Sequence, residues 1–227
     1  MLNPVKTSGW NRRDCIAGLV SCVATGVGLG LGAAEVRAAT PRKLLVLGDS
    51  LSAEYGLARG TGWVALLEAR LVSEKIAATV VNASISGDTT SGGRSRLGAL
   101  LAQHQPTHVV VELGGNDALR GLPLKSSQDN LVAIARVAKA AGAKVMVVGM
   151  QVPPNYGTAY TRDFAAMFPQ VAKAEGTALV PFLLAGIADA ADPERWFQAD
   201  RIHPVAAAHP RILATVWPVL RAWLAAG

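Results

Sequence analysis

Cysteine is nearly missing from this chain. Of its 227 residues only Cys15 and Cys22 are cysteines, and both lie near the N-terminus. A domain that follows them has no thiol, which excludes thiol nucleophiles, thiolate metal sites and disulfide bonds there. Because a chain of this length can bury a core large enough to fold without such cross-links, the sequence predicts one domain that is stabilised by its core.

Charged and aromatic residues are also scarce, at 17% and 5%. The formal net charge of +6 comes from Lys and Arg residues that are scattered along the chain, which disfavours a nucleic-acid partner. The Gly-x-Ser-x-Gly elbow of lipases, the His-Glu-x-x-His zinc motif and the phosphate-binding Gly-x-x-x-x-Gly-Lys-Ser/Thr motif are absent. These absences disfavour the enzyme classes that such motifs announce, and we expect neither a metal nor a cofactor.

The first 38 residues have the pattern of a targeting segment. Arg12 and Arg13 contribute to a positive start, residues 16–34 are apolar and rich in Gly and Ala, and residues 36–38 resemble a cleavage site. The pattern predicts a signal peptide over residues 1–38 and an exported domain over residues 39–227. We expect that domain to be periplasmic or secreted, with no stable membrane insertion once the leader is cleaved.

Three alternatives concern how the leader is used. The paired Arg12 and Arg13 are typical of a twin-arginine export signal. Residues 19–22 resemble a lipoprotein processing site at Cys22, but the apolar stretch continues well beyond it, so cleavage without lipidation is favoured. A retained anchor is the third alternative, and the many glycines of the stretch argue against a stable membrane helix.

Short apolar runs rich in Val and Leu alternate with helical patterns along the rest of the chain. The runs span residues 43–47, 78–82, 108–113, 144–149 and 178–181, and the helical patterns span 63–72, 90–103, 126–140, 159–174 and about 205–225. The alternation predicts an α/β fold, a three-layer α/β/α sandwich around a five-stranded parallel sheet. The last helix places one apolar stripe toward the core: Leu213, Trp217, Leu220 and Leu224.

A serine follows the first predicted strand, in the segment Gly48-Asp49-Ser50. Glycine permits a tight turn here, and the start of a helix offers N–H groups to an anion. Ser50 is therefore a candidate nucleophile. The alternative is that Ser50 and Asp49 only cap the helix.

The second and third predicted strands are also followed by candidate site residues. Gly87 has no side chain, so its N–H can approach a developing oxyanion, and the Asn116 side chain can point across the strand ends as a donor. The alternatives are an ordinary loop glycine and a turn-forming Gly-Asn-Asp.

Asp200 and His203 stand just before the last helix. Residues three apart on one turn point the same way, so the Asp200 carboxylate can orient the His203 imidazole and stabilise its cation. The other histidines, at 104, 108 and 209, lack such a partner and are interpreted as structural or solvent-facing. Together the segments supply a nucleophile, oxyanion donors, a base and a group that orients it.

From about Lys43 to the C-terminus the chain resembles the SGNH subfamily of GDSL hydrolases, and especially the bacterial thioesterase I, lysophospholipase and arylesterase group. The similar runs are 48–57, 81–89, 111–121 and 153–157. The four signature residues of the family fall on Ser50, Gly87, Asn116 and His203, and its acid falls on Asp200. The resemblance implies a flavodoxin-like strand order and a serine ester hydrolase that acts through an acyl-enzyme on small-molecule or lipid esters.

The same resemblance implies finer roles. The backbone N–H groups of Ser50 and Gly87 and the Asn116 side chain would form the oxyanion hole. Five residues would bind the substrate: Asp117, Leu119, Val152, Pro153 and Tyr156. Glu54 stands where relatives often have a smaller residue, and we expect it to narrow or charge the edge of the site.

Two other functions remain open at this point. Related SGNH enzymes remove acetyl groups from carbohydrates, so an O-acetylesterase is one alternative. A non-catalytic exported binding protein with the same fold is the other, although all the polar residues of the site are present. We expect the mature domain to act as a monomer.

Overall fold

A five-stranded parallel sheet organises residues 41–226, the part of the chain that the computed structural model describes. Its strands are β1 (Arg42–Gly48), β2 (Ala78–Asn82), β3 (His108–Glu112), β4 (Lys144–Val148) and β5 (Ala178–Val180). They lie side by side in the order β2-β1-β3-β4-β5. The predicted five-stranded parallel sheet with flavodoxin-like order is confirmed.

Six α-helices within this part of the chain complete the three layers. Helices α1 (Trp63–Ser73) and α6 (His209–Ala225) cover one face of the sheet, and α2 (Thr90–His104), α4 (Leu124–Ala140) and α5 (Thr158–Glu175) cover the other. The short helix α3 (Gly115–Leu119) joins β3 to α4, and 3-10 turns occur at Pro154–Tyr156, Glu194–Trp196 and Ala206–Ala208. The helices cover both faces because the central strands, β1 and β3, are apolar on both sides.

Two elements differ from the sequence prediction. Strand β2 is only partly buried because it lies at the edge of the sheet, where a single neighbour covers it. The last helix begins at His209 rather than near residue 205, because the preceding residues form a 3-10 turn. Its predicted core stripe is confirmed, since the four side chains are buried: Leu213, Trp217, Leu220 and Leu224.

Residues 41–226 belong to one compact unit with a single apolar core. No helix within residues 41–226 has the length and the apolar character needed to cross a membrane. The predicted signal peptide at residues 1–38 lies outside the described residues. Because all five strands are parallel, their carboxyl ends meet at one edge, where ligands bind in sheets of this kind.

Candidate active site

The carboxyl edge of the sheet brings together Ser50, His203 and Asp200. The Ser50 Oγ lies 2.9 Å from the His203 Nε2, although the two residues are 153 positions apart. The His203 Nδ1 lies 2.6 Å from the Asp200 Oδ2. An imidazole that donates its Nδ1–H to the carboxylate has a free Nε2 lone pair, so it can accept the proton of the serine hydroxyl.

Asp200 fixes the local backbone as well as the imidazole. Its Oδ1 accepts hydrogen bonds from the backbone N–H groups of Ile202 and His203, both at 3.0 Å. The chain bends between them with Arg201 in the left-handed region, at φ 58°. The sequence predicted that Asp200 and His203 face the same way. They do so in a non-helical bend that the carboxylate itself holds.

These contacts keep Asp200 ionised. Partial burial by itself raises the pKa of this carboxyl, but hydrogen bonds from the backbone N–H and the imidazole of His203 and from the Ile202 N–H outweigh it. The pKa of Asp200 falls from 3.8 to about 2 as a result. A negative charge therefore stands beside the imidazole throughout the range in which a histidine base operates.

Gln198 and Tyr55 join the histidine loop to the serine loop. The Gln198 Nε2 donates to the backbone oxygens of Tyr55, at 2.9 Å, and Pro204, at 3.1 Å. The Tyr55 ring lies on the His203 imidazole with centroids 4.3 Å apart. Sequence reasoning assigned no role to either residue. Tyr55 belongs to the run 48–57 that resembles the family, which was the only available signal.

The candidate oxyanion donors lie on the loops beside Ser50. The Ile85 N–H donates to the Gly48 oxygen at 3.0 Å and holds the loop of Gly87 next to the serine turn. Gly87 has a φ of 79°, which favours glycine. Its carbonyl accepts a 2.7 Å hydrogen bond from the Arg120 Nη2. Among residues 41–226, the N–H groups of Ser50 and Gly87 donate to no protein acceptor.

The side-chain amide of Asn116 is oriented by Asp49. One N–H of its side-chain amide donates to the Asp49 Oδ2 at 3.0 Å, and the second is left for a ligand. The Asp49 Oδ1 accepts from the Leu51 N–H at 3.0 Å, so both carboxylate oxygens are occupied. The sequence identified Asn116 as a donor but took Asp49 only as a capping residue.

A second buried carboxyl, Glu112, lies behind Asp49. The Glu112 Oε2 accepts a 2.7 Å hydrogen bond from the Ser52 Oγ and a long one, 3.4 Å, from the Asp49 N–H. Burial raises the pKa of Asp49 to about 6, against the opposing effect of the hydrogen bonds from Leu51 and Asn116. Burial and the neighbouring Asp49 charge raise the pKa of Glu112 well above its usual range.

The residues predicted to bind substrate are placed unequally. Asp117 is only 2% exposed, and its carboxylate accepts from the Thr90 N–H at 2.9 Å, from the Thr90 hydroxyl and from the Ser127 hydroxyl at 2.9 Å. It therefore ties α3 to the starts of α2 and α4, and its contact with substrate stays a prediction. The other four keep exposed surface in the segments that follow β3 and β4, and their contact with substrate stays a prediction: Leu119, Val152, Pro153 and Tyr156.

Glu54 does not narrow the site as expected. Its carboxylate turns into its own loop and accepts hydrogen bonds from the N–H groups of Gly60, at 3.0 Å, and Gly62, at 2.7 Å. Its backbone is left-handed, at φ 60°. Glu54 thus closes the loop between the serine turn and α1 rather than charging the edge of the site.

None of the other histidines within residues 41–226 forms a hydrogen bond with Ser50. His209 is buried, and its Nδ1 accepts from the Trp63 N–H at 3.0 Å. His108 is buried at the start of β3, and His104 ends α2. Within residues 41–226, no group of three or more His, Cys, Asp or Glu side chains is arranged to hold a metal ion.

Comparison with known proteins agrees with this geometry. Residues 46–211 match the GDSL-like Lipase/Acylhydrolase family. The Esterase TesA of Pseudomonas aeruginosa is 52% identical over 183 residues, 81% of this chain and 90% of that protein. The Thioesterase 1/protease 1/lysophospholipase L1 of Escherichia coli K12 is 44% identical over 176 residues, 78% of this chain and 82% of that protein.

Solved structures give the same result. A crystal structure of TesA, 52% identical, superposes with a TM-score of 0.76 and covers 79% of this chain and 98% of its own. The psychrotrophic esterase EstA from Pseudoalteromonas sp., 40% identical and inhibited by monoethylphosphonate, has a TM-score of 0.76 over 81% of this chain and 98% of its own. The chain belongs to the GDSL-like lipase/acylhydrolase family and is a carboxylic ester hydrolase.

Proposed function

We propose that Ser50 is the nucleophile of this ester hydrolase, that His203 is its general base and that Asp200 orients the base. The observation that carries the proposal is the continuous hydrogen-bonded chain from the Ser50 Oγ through the imidazole to the Asp200 carboxylate, at 2.9 Å and 2.6 Å. A serine hydroxyl needs such a partner, because it is a weak nucleophile at its own pKa.

Acylation begins when the Ser50 Oγ attacks the carbonyl carbon of the ester and its proton passes to the His203 Nε2. The imidazolium that forms is stabilised by Asp200, whose pKa is low enough to keep it charged. The tetrahedral intermediate then collapses, and His203 returns the proton to the leaving alcohol or thiol. The acyl group stays on Ser50 as an ester.

The oxyanion of the intermediate would lie between three donors: the backbone N–H groups of Ser50 and Gly87 and the second N–H of the Asn116 amide. Asp49 supports this assignment, because its 3.0 Å hydrogen bond fixes the Asn116 amide before substrate arrives. A donor that is already oriented stabilises charge in the transition state without reorganisation. Water then attacks the acyl-enzyme with His203 again as base.

The substrates that we propose are small-molecule and lipid esters. The relatives are named as an esterase and as a thioesterase and lysophospholipase. The leader pattern at residues 1–38 supports an exported enzyme, periplasmic or secreted, which would seldom meet cytosolic acyl-CoA. Leu119, Val152, Pro153 and Tyr156 supply mainly apolar surface beside the site for the acyl chain.

Replacing the nucleophile tests the proposal directly. Ser50→Ala removes the attacking oxygen but fills the same turn, so ester hydrolysis should fall to near background while the fold is kept. We would measure p-nitrophenyl ester hydrolysis and compare circular dichroism and urea unfolding with the unaltered chain. Turnover that persists in a purified, folded variant would refute the assignment of Ser50.

The same assay can be run on p-nitrophenyl esters of increasing acyl length. A lipid or aryl esterase should hydrolyse butyrate and longer esters. Activity on acetate alone would favour the carbohydrate O-acetylesterase alternative. No turnover on any ester would favour the non-catalytic binding protein.

A further inference from the structure

Six large apolar side chains are exposed within residues 41–226. Four of the six lie in the loops that carry site residues and are 43–52% exposed: Tyr55, Ile85, Leu119 and Ile202. We refer to these four as the rim. The other two, Val72 and Val137, lie on α1 and α4. An exposed apolar cluster of this kind marks an interaction surface.

The contacts of the rim residues divide them into two pairs, which we call its two banks. On one bank the Tyr55 ring packs on the His203 imidazole at 4.3 Å, and Ile202 directly precedes that histidine. On the other bank Ile85 is held to the end of β1 by its N–H, 3.0 Å from the Gly48 oxygen. Leu119 joins this bank because its neighbour Arg120 reaches the oxygen of Gly87 at 2.7 Å.

Arginines accompany the rim in three of its four loops. They are Arg59, Arg120 and Arg201, and all three are exposed. Arg201 pairs loosely with Glu194, at 3.7 Å. Among residues 41–226, Arg59 and Arg120 form no salt bridge at all. A surface of apolar side chains edged by such cations is attracted to a negatively charged surface.

The acidic residues of the same loops do not offset these cations. Asp88 is paired with Arg96 at 2.8 Å, and both side chains are mostly buried. Asp117 is buried among hydroxyl and backbone donors. Glu54 is occupied by the N–H groups of its own loop. Asp200 is held by His203 and two backbone N–H groups, and Glu194 faces Arg201 at 3.7 Å. The exposed charges of these loops that have no partner of opposite sign among residues 41–226 are therefore those of Arg59 and Arg120.

We propose that the rim docks onto the surface of an anionic lipid aggregate and presents Ser50 to ester groups at that surface. Apolar side chains at a membrane interface bury themselves at the boundary of headgroups and acyl chains, while arginines contact the phosphates. The docking rests on the proposed function, because it delivers lipid esters to the same serine. It assigns to the rim a role that hydrolysis of dissolved esters does not need.

Vesicle binding tests the docking apart from catalysis. Residues 39–227 would carry Ser50→Ala, so that the lipid is not consumed, and would be sedimented with vesicles of phosphatidylcholine with or without phosphatidylglycerol. Binding should require phosphatidylglycerol and weaken with added salt. On this background Ile85→Ser and Ile202→Ser should each weaken binding by about 5- to 10-fold, since each removes an apolar side chain from the interface.

Val72→Ser and Val137→Ser are the matched controls. Each also removes an exposed apolar side chain, but from a helix face away from Ser50, so binding should be unchanged. Equal losses in rim and control variants would overturn the proposal. A chain that does not sediment with phosphatidylglycerol vesicles would overturn it as well.

An activity assay on the chain with Ser50 restored gives the second readout. Ile85→Ser should slow hydrolysis of lysophospholipid dispersed in anionic micelles by a larger factor than hydrolysis of dissolved p-nitrophenyl acetate. If the variant instead keeps vesicle binding but raises KM for dissolved long-chain esters, the rim is an acyl subsite and docking is refuted. Ester hydrolysis without vesicle binding refutes the docking alone. Vesicle binding without ester hydrolysis refutes the proposed function.

Discussion

The two ends of strand β3 carry buried ionisable residues that differ in their surroundings. At the amino end, burial together with Lys144 and Arg42 lowers the pKa of His108 from 6.5 to about 4. At the carboxyl end, burial and the charge of Asp49 raise the pKa of Glu112. Both residues therefore favour their neutral forms. Burial alone does not distinguish a structural residue from one that belongs to a site.

His108 and Glu112 differ in the residues to which their hydrogen bonds connect them. The His108 Nδ1 lies 2.8 Å from the Thr107 hydroxyl, and the ring meets Trp223 edge to face at 4.7 Å, with no route to a reactive atom. Glu112 contacts Asp49, which holds the Asn116 amide beside Ser50. A buried polar residue is thus informative about function when its hydrogen bonds end at an exposed donor or nucleophile.

Two clefts lie at the end of the sheet opposite to the candidate site. Two clefts of about 460 and 430 Å³ open at the amino edge and are lined by residues such as Lys144, Trp223 and Arg221. Neither contains the serine or the histidine of the candidate site. We place the site at the carboxyl edge because Ser50, His203 and Asp200 are hydrogen-bonded to one another there, although a well-formed pocket is the usual starting point for locating a site.

The largest effect expected from this comparison is at the carboxyl end. Asn116→Ala removes one oxyanion donor and should lower kcat by about 10²- to 10³-fold, with little change in KM. Steady-state kinetics on a p-nitrophenyl ester would measure it. A change confined to KM would show that Asn116 binds the substrate in its ground state. The carboxyl end of β3 would then not differ from the amino end in its effect on kcat.

Asp49→Asn should have a smaller effect on turnover, about 10-fold in kcat, because the amide of Asn116 loses a charged acceptor but is still present. The dependence of its stability on pH is a more specific test. The pKa of Asp49 is about 6 when folded and 3.8 when free, so the folded chain binds more protons between these values and loses stability as pH rises.

Removing that carboxyl should therefore raise the stability of the variant relative to the unaltered chain as pH increases from 4 to 6. Urea unfolding at pH 4, 5 and 6 would measure the difference. Loss of the acceptor also changes the free energy of unfolding by itself. The prediction is therefore tested by how the difference between the two chains changes with pH, and not by the size of that difference at one pH. A flat difference would show that Asp49 is not raised in pKa by burial.

The smallest effect on turnover is expected at the amino end. His108→Phe keeps a ring against Trp223 and should leave kcat and KM unchanged. The pH dependence of its stability should have the opposite sign to that of Asp49→Asn. Because the pKa of His108 is about 4 when folded and 6.5 when free, the unfolded chain binds more protons there, and stability falls as pH falls.

The variant should consequently gain stability relative to the unaltered chain as pH decreases from 6.5 to 4, in the same unfolding assay. Two slopes of opposite sign would establish the contrast between the ends of β3. A loss of turnover in folded His108→Phe would instead connect the amino end to the site and remove the contrast.

Most of the architecture was predictable because its signals are local. The predicted strand at 78–82 coincides with β2, and the helix predicted over 63–72 differs from α1 by one residue. Helix α3 was missed because five residues are too few to show helical periodicity. The start of α6 was predicted too early because a 3-10 turn and a helix have similar apolar spacing.

The candidate site was less completely predictable. Ser50, Gly87, Asn116, Asp200 and His203 could be named because each follows a strand or precedes the last helix with a polar pattern. The supporting residues could not be found in this way, since Gln198, Glu112 and Arg120 act through contacts between distant segments. The substrate contact of Asp117 was implied by the family resemblance alone, and the sequence gives no sign that the fold encloses this carboxylate.

The two oxygens of Asp200 have separate tasks, one in the backbone bend and one at the imidazole. The group that supplies the negative charge to the base therefore also sets the direction in which the base points. If the loop shifts, the charge and the ring shift together and their mutual alignment is preserved. In the proposed mechanism the imidazole and the Asp200 carboxylate therefore move together, and the distance that a shift of this loop changes is the one between the imidazole and the Ser50 hydroxyl.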